Sequence, residues 1–268
     1  MDVPTAIADA TAVLTGAGVP TAADDARRLV QHVAGHGSQV DQDAVAALVQ
    51  RRADREPLEY LIGQASFRGL TLAVGPGVFV PRAETEQTVQ LAIDALAAAA
   101  GPHPVGVDLG TGSGAIALAM AAEVPQATVV GVEVAPEAFA WAERNARGVG
   151  NVRMVLGDLA GALPELDGSV EVVMSNPPYI PTGMVPREIE VQRHSPAVAL
   201  FGGADGMDVL RQVSVTARRL LRAGGTLVIE HGEQQAATVA AILTGDGWYD
   251  VASHRDAAGR DRATTARR

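Results

Sequence analysis

The chain has 268 residues, enough for one large domain or a small one beside a larger one, and 47% of them are hydrophobic while only 3% are aromatic. Ala, Val and Leu must therefore fill the core, as they do in helix-covered parallel sheets. The balance of 31 acids against 21 bases, every base an Arg, leaves a net charge of −10 and argues against a stable nucleic-acid binder, while the lack of Cys excludes disulfides, thiolate metal sites and cysteine nucleophiles.

Residues Met1 to Thr11 carry neither the basic start nor the apolar run of a signal peptide, and no apolar stretch reaches membrane-spanning length. A cytoplasmic protein with no membrane association is expected. The first sixty residues read as short helices. Thr21 with Asp24 marks a helix start, and Leu29, Val30 and Val33 share one face. Asp41, after Gly35-His36-Gly37, caps a further helix carrying Val45, Leu48 and Val49. The β-prone runs Phe67–Val74 and Val78–Val80 about Gly75-Pro76-Gly77 predict a hairpin. The expected organisation is a helical, partner-binding domain over residues 1–63, a β-hairpin connector over 64–82 and a larger domain over 83–268.

From Glu84 onward, strands and helices alternate. A helix is expected over Glu84–Ala100, a buried strand over Val105–Leu109, a helix over Ala115–Ala122 and a strand over Thr128–Glu133. Pro136 suits the first turn of the next helix. Strands follow at Val152–Leu156 and Val170–Met174, then a helix at Asp208–Leu221, a strand at Thr226–Glu230 and a helix at Gln234–Leu243. Such βαβ alternation predicts an α/β fold with a doubly wound, mostly parallel, Rossmann-like sheet. Ligands of such sheets bind at the carboxyl ends of the strands, near the point where strand order reverses.

Three segments at strand ends carry chemistry. The first is Asp108-Leu109-Gly110-Thr111-Gly112-Ser113-Gly114, between a strand and a helix. Its glycines let backbone approach a ligand, and the helix start offers free N–H groups. Gly110, Gly112 and Ala115 also satisfy a dinucleotide fingerprint, so this loop alone does not separate NAD from S-adenosylmethionine. The second is Glu133, placed to accept hydrogen bonds from the ribose hydroxyls that both cofactors share, with Asp158 at the next strand end facing the adenine amino group or simply forming a turn. The third, Ser175-Asn176-Pro177-Pro178-Tyr179, decides between them. Two prolines stop the strand and stiffen the loop. The Asn176 side chain and a proline carbonyl can then accept both hydrogens of a planar NH2 group, with Tyr179 packed over its π face. That is a poor site for hydride transfer and a good one for methylating a weakly nucleophilic planar nitrogen. The six His residues show no metal-ligand spacing, and His231 reads as structural.

In these motifs the chain resembles class I S-adenosylmethionine-dependent methyltransferases acting on planar nitrogens, and among them the release-factor glutamine N5-methyltransferases (PrmC/HemK). The supporting segments are Pro57 to Gly63, Pro76 to Glu86 with its Pro-Arg-x-x-Thr-Glu run, Ala199 to Gly206, and the tail Gly259 to Arg267. The resemblance implies that Asp108, Gly110, Thr111, Gly112, Ser113 and Gly114 hold the methionine part of the cofactor and Glu133 its ribose. It implies that Asp158 and Leu159 line the adenine, that Asn176 borders cofactor and acceptor alike, and that Asn176, Pro177, Pro178 and Tyr179 hold the acceptor glutamine, with Asn176, Pro177 and Tyr179 acting in catalysis. Class I peptide chain release factors are the implied partners, modified at the glutamine of their Gly-Gly-Gln segment, with S-adenosylhomocysteine as second product. Two positions depart from the family pattern: Glu133 where Asp is commoner, and Ser195 where a Glu usually precedes Pro196. An adenine-N6 or guanine-N2 nucleic-acid methyltransferase is the alternative the four-residue motif leaves open, and the acidic charge weighs against it.

Overall fold

A computed structural model describes all 268 residues. It divides into two compact units, the first made of residues Met1–Gln64, Val74–Pro76 and Val185–Ser195, the second of Ala65–Ala73, Gly77–Met184 and Pro196–Arg268.

The first unit is helical. It contains α1 (Val3–Gly16), α2 (Ala22–Ala34), α3 (Gln42–Ala53) and the single turn α4 (Leu58–Ile62). Two starts are fixed by carboxylates: Asp2 accepts from the Thr5 N–H, and Asp41 from those of Asp43 and Ala44, as its position before α3 predicts. Ala6, Ala10 and Leu14 of α1 meet Ala26, Leu29 and Val30 of α2 and Val45 and Val49 of α3 in one core. Inside this apolar packing lies an ion cluster. Arg52 is 5% exposed and Asp25 4%, and the Arg52 Nε donates to Asp25 Oδ2 at 2.7 Å. Arg52 Nη1 also donates to the Glu56 carbonyl and to Glu190 Oε1, while Arg55 Nη2 donates to Glu190 Oε2. Glu190 thus arrives from far along the chain, on a strap over residues 185–195 that belongs to this unit.

The second unit begins with strands β1 (Gln64–Phe67) and β2 (Leu70–Ala73), which form their own two-stranded sheet. The predicted hairpin is not formed: residues 78–80 make no strand, and the hairpin present turns at Arg68-Gly69, inside the run Phe67–Val74 expected as one strand. Arg68 and Gly69 both have positive φ, the backbone twist of a two-residue hairpin turn. The Arg68 N–H and one of its guanidinium nitrogens bond the Glu86 carboxylate and carbonyl, which holds Arg68 in that conformation.

Then come α5 (Ala83–Ala97), β3 (Val105–Leu109), α6 (Ala115–Glu123), β4 (Thr128–Glu133), α7 (Pro136–Ala146), β5 (Val152–Leu156), β6 (Val170–Ser175), α8 (Ile189–His194, in the strap), α9 (Asp208–Leu220), β7 (Leu221–Glu230), α10 (Ala236–Gly245), β8 (Tyr249–Arg255) and β9 (Asp261–Arg267). The seven-stranded sheet runs β5-β4-β3-β6-β7-β9-β8, parallel from β5 to β7 and closed by β9 and β8 in antiparallel pairings. The last two strands are additions to the predicted set. Alternate residues of β3, β4 and β6 point to opposite cores: Val107, Val130 and Val173 meet α9 and α10, while Val129, Val172 and Met174 meet α5 and α6. Residues 115–121 of α6 are all buried, which its apolar, Ala-rich sequence permits.

Candidate active site

Strand order reverses between β3 and β6, which pair directly with Asp108 opposite Met174. The two loops predicted to carry chemistry therefore leave neighbouring strands at the switch point of the sheet. Ser175 ties them: its Oγ donates to the Leu109 carbonyl at 2.6 Å.

The glycine loop is held from three sides. The Gly110 and Thr111 N–H groups both donate to the Val132 carbonyl, and the Gly112 N–H donates to Glu133 Oε2 at 2.8 Å. Gly110 and Gly112 have φ of +78° and +57°, and a Cβ built on either would project into open space. The loop thus presents bare backbone to whatever lies above it. Glu133 is buried, and its other oxygen accepts from the Ala135 N–H, leaving each oxygen a further lone pair. Asn145 of α7 is an additional brace absent from the sequence expectations. Its Nδ2 donates to the carbonyls of Ser113 and Ala73, and its Oδ1 accepts from the Ala73 N–H.

Asp108 has no exposed surface. Its Oδ2 accepts from Thr111 Oγ1 at 2.5 Å and from the Ala117 N–H, whereas Oδ1 has no partner. Burial, opposed by those two hydrogen bonds, pushes this carboxyl up to about 7. Asp158 is exposed at the end of β5, where its Oδ1 accepts from the Ala160 N–H and starts a single helical turn beginning with half-buried Leu159. Val134 and Leu156, both about half exposed, present apolar side chains at the ends of the adjacent strands β4 and β5.

At the second loop, Pro177 is buried and Asn176, Pro178 and Tyr179 are half-buried. Asn176 Nδ2 donates to Thr85 Oγ1 at 3.3 Å, and Thr85 in turn donates to Glu230 Oε1 at 3.2 Å. The Asn176 amide oxygen and the Pro177 carbonyl receive no hydrogen bond from the chain. Burial and the nearby Glu230 charge raise the Tyr179 hydroxyl pKa, with Arg262 and Arg82 opposing. Beneath the motif, the segment from Ala199 to Gly206 supports it. Ile180 pairs with Phe201, and a Cβ on Gly202 or Gly206 would overlap the Pro178 or Tyr179 carbonyl. Gln235 completes the cradle by donating to the Tyr179 carbonyl at 2.8 Å. His231, with Nε2 on Thr264 Oγ1 and Nδ1 beside the Gly232 carbonyl, is a buried structural residue.

Burial also pushes Glu230 up to about 7, against its bond from Thr85, the neighbouring Thr88 hydroxyl and the Arg262 charge. For both Asp108 and Glu230 the folded-state pKa lies above the unfolded value, so the folded protein binds more protons than the unfolded one between those values. Their contribution to stability is complete below the unfolded pKa and is lost as pH rises through about 7. The Tm of the ligand-free protein should fall from about pH 4 to about pH 8 relative to a Glu230→Gln variant, whose curve is flatter. Parallel curves would show that Glu230 titrates normally.

A glycine loop after the first parallel strand, an acid ending the second and Asn-Pro-Pro-Tyr after the fourth together define a methyltransferase of Rossmann-like architecture. A methyltransferase-domain family model matches residues 107–187. A solved methyltransferase structure from Pyrococcus furiosus shares the fold at a TM-score of 0.53 and 22% identity, covering 75% of this chain and 90% of that one. A release factor glutamine methyltransferase of Streptomyces coelicolor is 47% identical over 98% of this chain and 96% of its own. A 4-amino-L-phenylalanine/4-methylamino-L-phenylalanine methyltransferase of Streptomyces pristinaespiralis is 41% identical over 93% of this chain and 90% of its own. The chain belongs to the release factor glutamine methyltransferase family.

Proposed function

We propose that this enzyme transfers a methyl group from S-adenosylmethionine to the side-chain amide nitrogen of the glutamine in the Gly-Gly-Gln segment of peptide chain release factors. The observation that carries the reading is the state of Asn176. Its NH2 is engaged by Thr85, so its oxygen, beside the Pro177 carbonyl, is the end left for an acceptor NH2. Near-full-length similarity to relatives that bear this activity in their names supports the choice of substrate.

The site fits the cofactor. Asp108 Oδ1 is a buried, unpartnered acceptor suited to an ammonium group, and Gly110 and Gly112 offer open backbone beside it. Glu133 has the lone pairs for two ribose hydroxyls, and Val134, Leu156 and Leu159 are apolar surface suited to adenine, with Asp158 at its edge. When bound, the cofactor supplies an electrophilic sulfonium methyl group. An amide nitrogen is a poor nucleophile because its lone pair is delocalised into the carbonyl. Asn176 Oδ1 and the Pro177 carbonyl accept its two hydrogens, hold it in line for attack and stabilise the positive charge that develops on it. The remaining Asn176 N–H is free to donate to the acceptor carbonyl. Tyr179 covers the planar group, and the proton leaves late, to water.

The helical unit, which carries no cofactor motif, recognises the release factor in this reading, and the compartment of action is the cytoplasm, where translation ends. No helix of the structure is long and apolar enough to cross a membrane. The deciding experiment presents labelled S-adenosylmethionine and the purified enzyme with a release factor, with 4-amino-L-phenylalanine and with double-stranded DNA in parallel. Label is expected on the Gly-Gly-Gln glutamine alone. Label on the aryl amine without the release factor would move the enzyme to the specificity of the Streptomyces pristinaespiralis relative, and label on DNA would return the nucleic-acid alternative.

A further inference from the structure

Glu230 has no place in the mechanism so far, although it is 3% exposed, its Oε2 has no partner, and it ends the strand beside the acceptor loop. β6 and β7 pair with Ser175 opposite Ile229, so Asn176 and Glu230 are the next residues along two neighbouring strands. Thr85, from the first turn of α5, bridges them through one hydroxyl oxygen, which receives a bond from Asn176 Nδ2 and gives one to Glu230 Oε1.

A hydroxyl has a single hydrogen. An ionised carboxylate is acceptor-only, so it draws that hydrogen to itself and leaves Thr85 with only lone pairs toward Asn176. The Asn176 amide must then turn its NH2 to Thr85 and its oxygen to the acceptor. With the polarity of the chain reversed, Thr85 would donate to the Asn176 oxygen, and the Asn176 NH2 would oppose the acceptor NH2, donor against donor.

We propose that Glu230 is a positioning residue for methyl transfer: acting through the Thr85 hydroxyl, it fixes which end of the Asn176 amide faces the acceptor. The inference rests on the reaction proposed above. It also gives the Thr of the Pro-Arg-x-x-Thr-Glu segment a role distinct from that of Glu86, which anchors the hairpin turn.

The charge state of Glu230 sets the polarity, because a protonated carboxyl can donate to Thr85. The groups facing it are Arg262 from β9, which favours the charged form, Glu84 from α5, which opposes it, the Tyr179 hydroxyl from the acceptor loop, and the hydroxyls of Thr85 and Thr88. Burial dominates and places its titration at about 7.

The test uses the full-length enzyme with a release factor it demonstrably methylates, so that failure of the substrate assignment is seen first and separately, in the wild type. Glu230→Gln keeps the shape and removes the charge, leaving an amide that can donate to Thr85. It should lower kcat by about tenfold or more while cofactor Kd stays within about twofold. Its Tm at about pH 8 should rise, because a buried charge is gone, whereas a residue needed only for structure would lose stability. Wild-type kcat should climb through about pH 7, and that limb should be missing in the variant. Thr85→Ser should retain activity, Thr85→Val should lose it, and Glu230→Gln should add nothing to Thr85→Val. A Gln variant with wild-type kcat, an unchanged acid limb, or additive losses in the double variant would each overturn the proposal.

Discussion

Asn176→Ala is expected to lower kcat/KM on a release factor by about a hundredfold or more while leaving cofactor affinity within about twofold. The alanine removes the acceptor proposed to orient the substrate NH2 and takes from the Thr85 oxygen the N–H it accepts, while Thr85 keeps its bond to Glu230, at about 1–3 kcal/mol for each bond lost. Asn176→Asp should fall between the two, about ten- to a hundredfold down. It retains an oxygen for the acceptor but turns a second oxygen to Thr85, where the amide had a hydrogen, so Thr85 must choose between two carboxylates. It also adds a charge close to buried Glu230. The measurements are kcat/KM on the protein substrate and calorimetric Kd for S-adenosylhomocysteine. An Asp variant as active as the wild type would mean that the hydrogen given to Thr85 plays no part in orienting Asn176.

The other large effect lies in the helical unit. Arg52→Ala should destabilise that unit by about 3–5 kcal/mol, because it strands Asp25, buried among the helices, with no counter-charge. Glu190 would keep Arg55 and so lose less. Arg52→Lys should recover only part of the loss, since one ammonium cannot reproduce the guanidinium fork that reaches Asp25, Glu190 and the Glu56 carbonyl together. Replacing both members of the inner pair, Asp25→Asn with Arg52→Met, should be milder than Arg52→Ala alone, since no uncompensated charge remains. Denaturant unfolding followed by circular dichroism measures all three. A loss below about 1 kcal/mol for Arg52→Ala would show that water reaches Asp25 and that the pair behaves as an exposed one.

The parallel strands were legible because each is a short apolar run stopped by turn residues. Val105–Leu109, Thr128–Glu133 and Val152–Leu156 have the predicted bounds. The two closing strands lacked that signal. β8 is largely exposed and β9 mixes Arg, Thr and Ala, so only pairing makes them strands, β9 against β7 and β8 against β9. The hairpin turn was misplaced because Gly75-Pro76-Gly77 is the stronger turn signal in sequence, whereas Arg68-Gly69 depends on Glu86 to hold an Arg at positive φ. At the site, the residues projecting from strand ends were readable from local motifs. Their supports were not. Asn145, Thr85, Glu230 and Gln235 reach the loops through hydrogen bonds between residues far apart in sequence, Thr85 to Glu230 across 145 positions.

The strap carrying Glu190 has a consequence for how the protein can be taken apart. The chain passes between its two units at residues 64/65, 73/74, 76/77, 184/185 and 195/196, so no single cut separates them. A fragment starting at residue 65 would keep Glu190 but lose Arg52 and Arg55, the two guanidinium partners of its carboxylate. Weak activity in such a fragment would mix the loss of the proposed recognition surface with the loss of the contacts that hold residues 185–195. A chimaera that grafts another relative's helical unit onto this catalytic sheet would have to exchange residues 185–195 together with residues 1–64, as one inherited block in two pieces of gene.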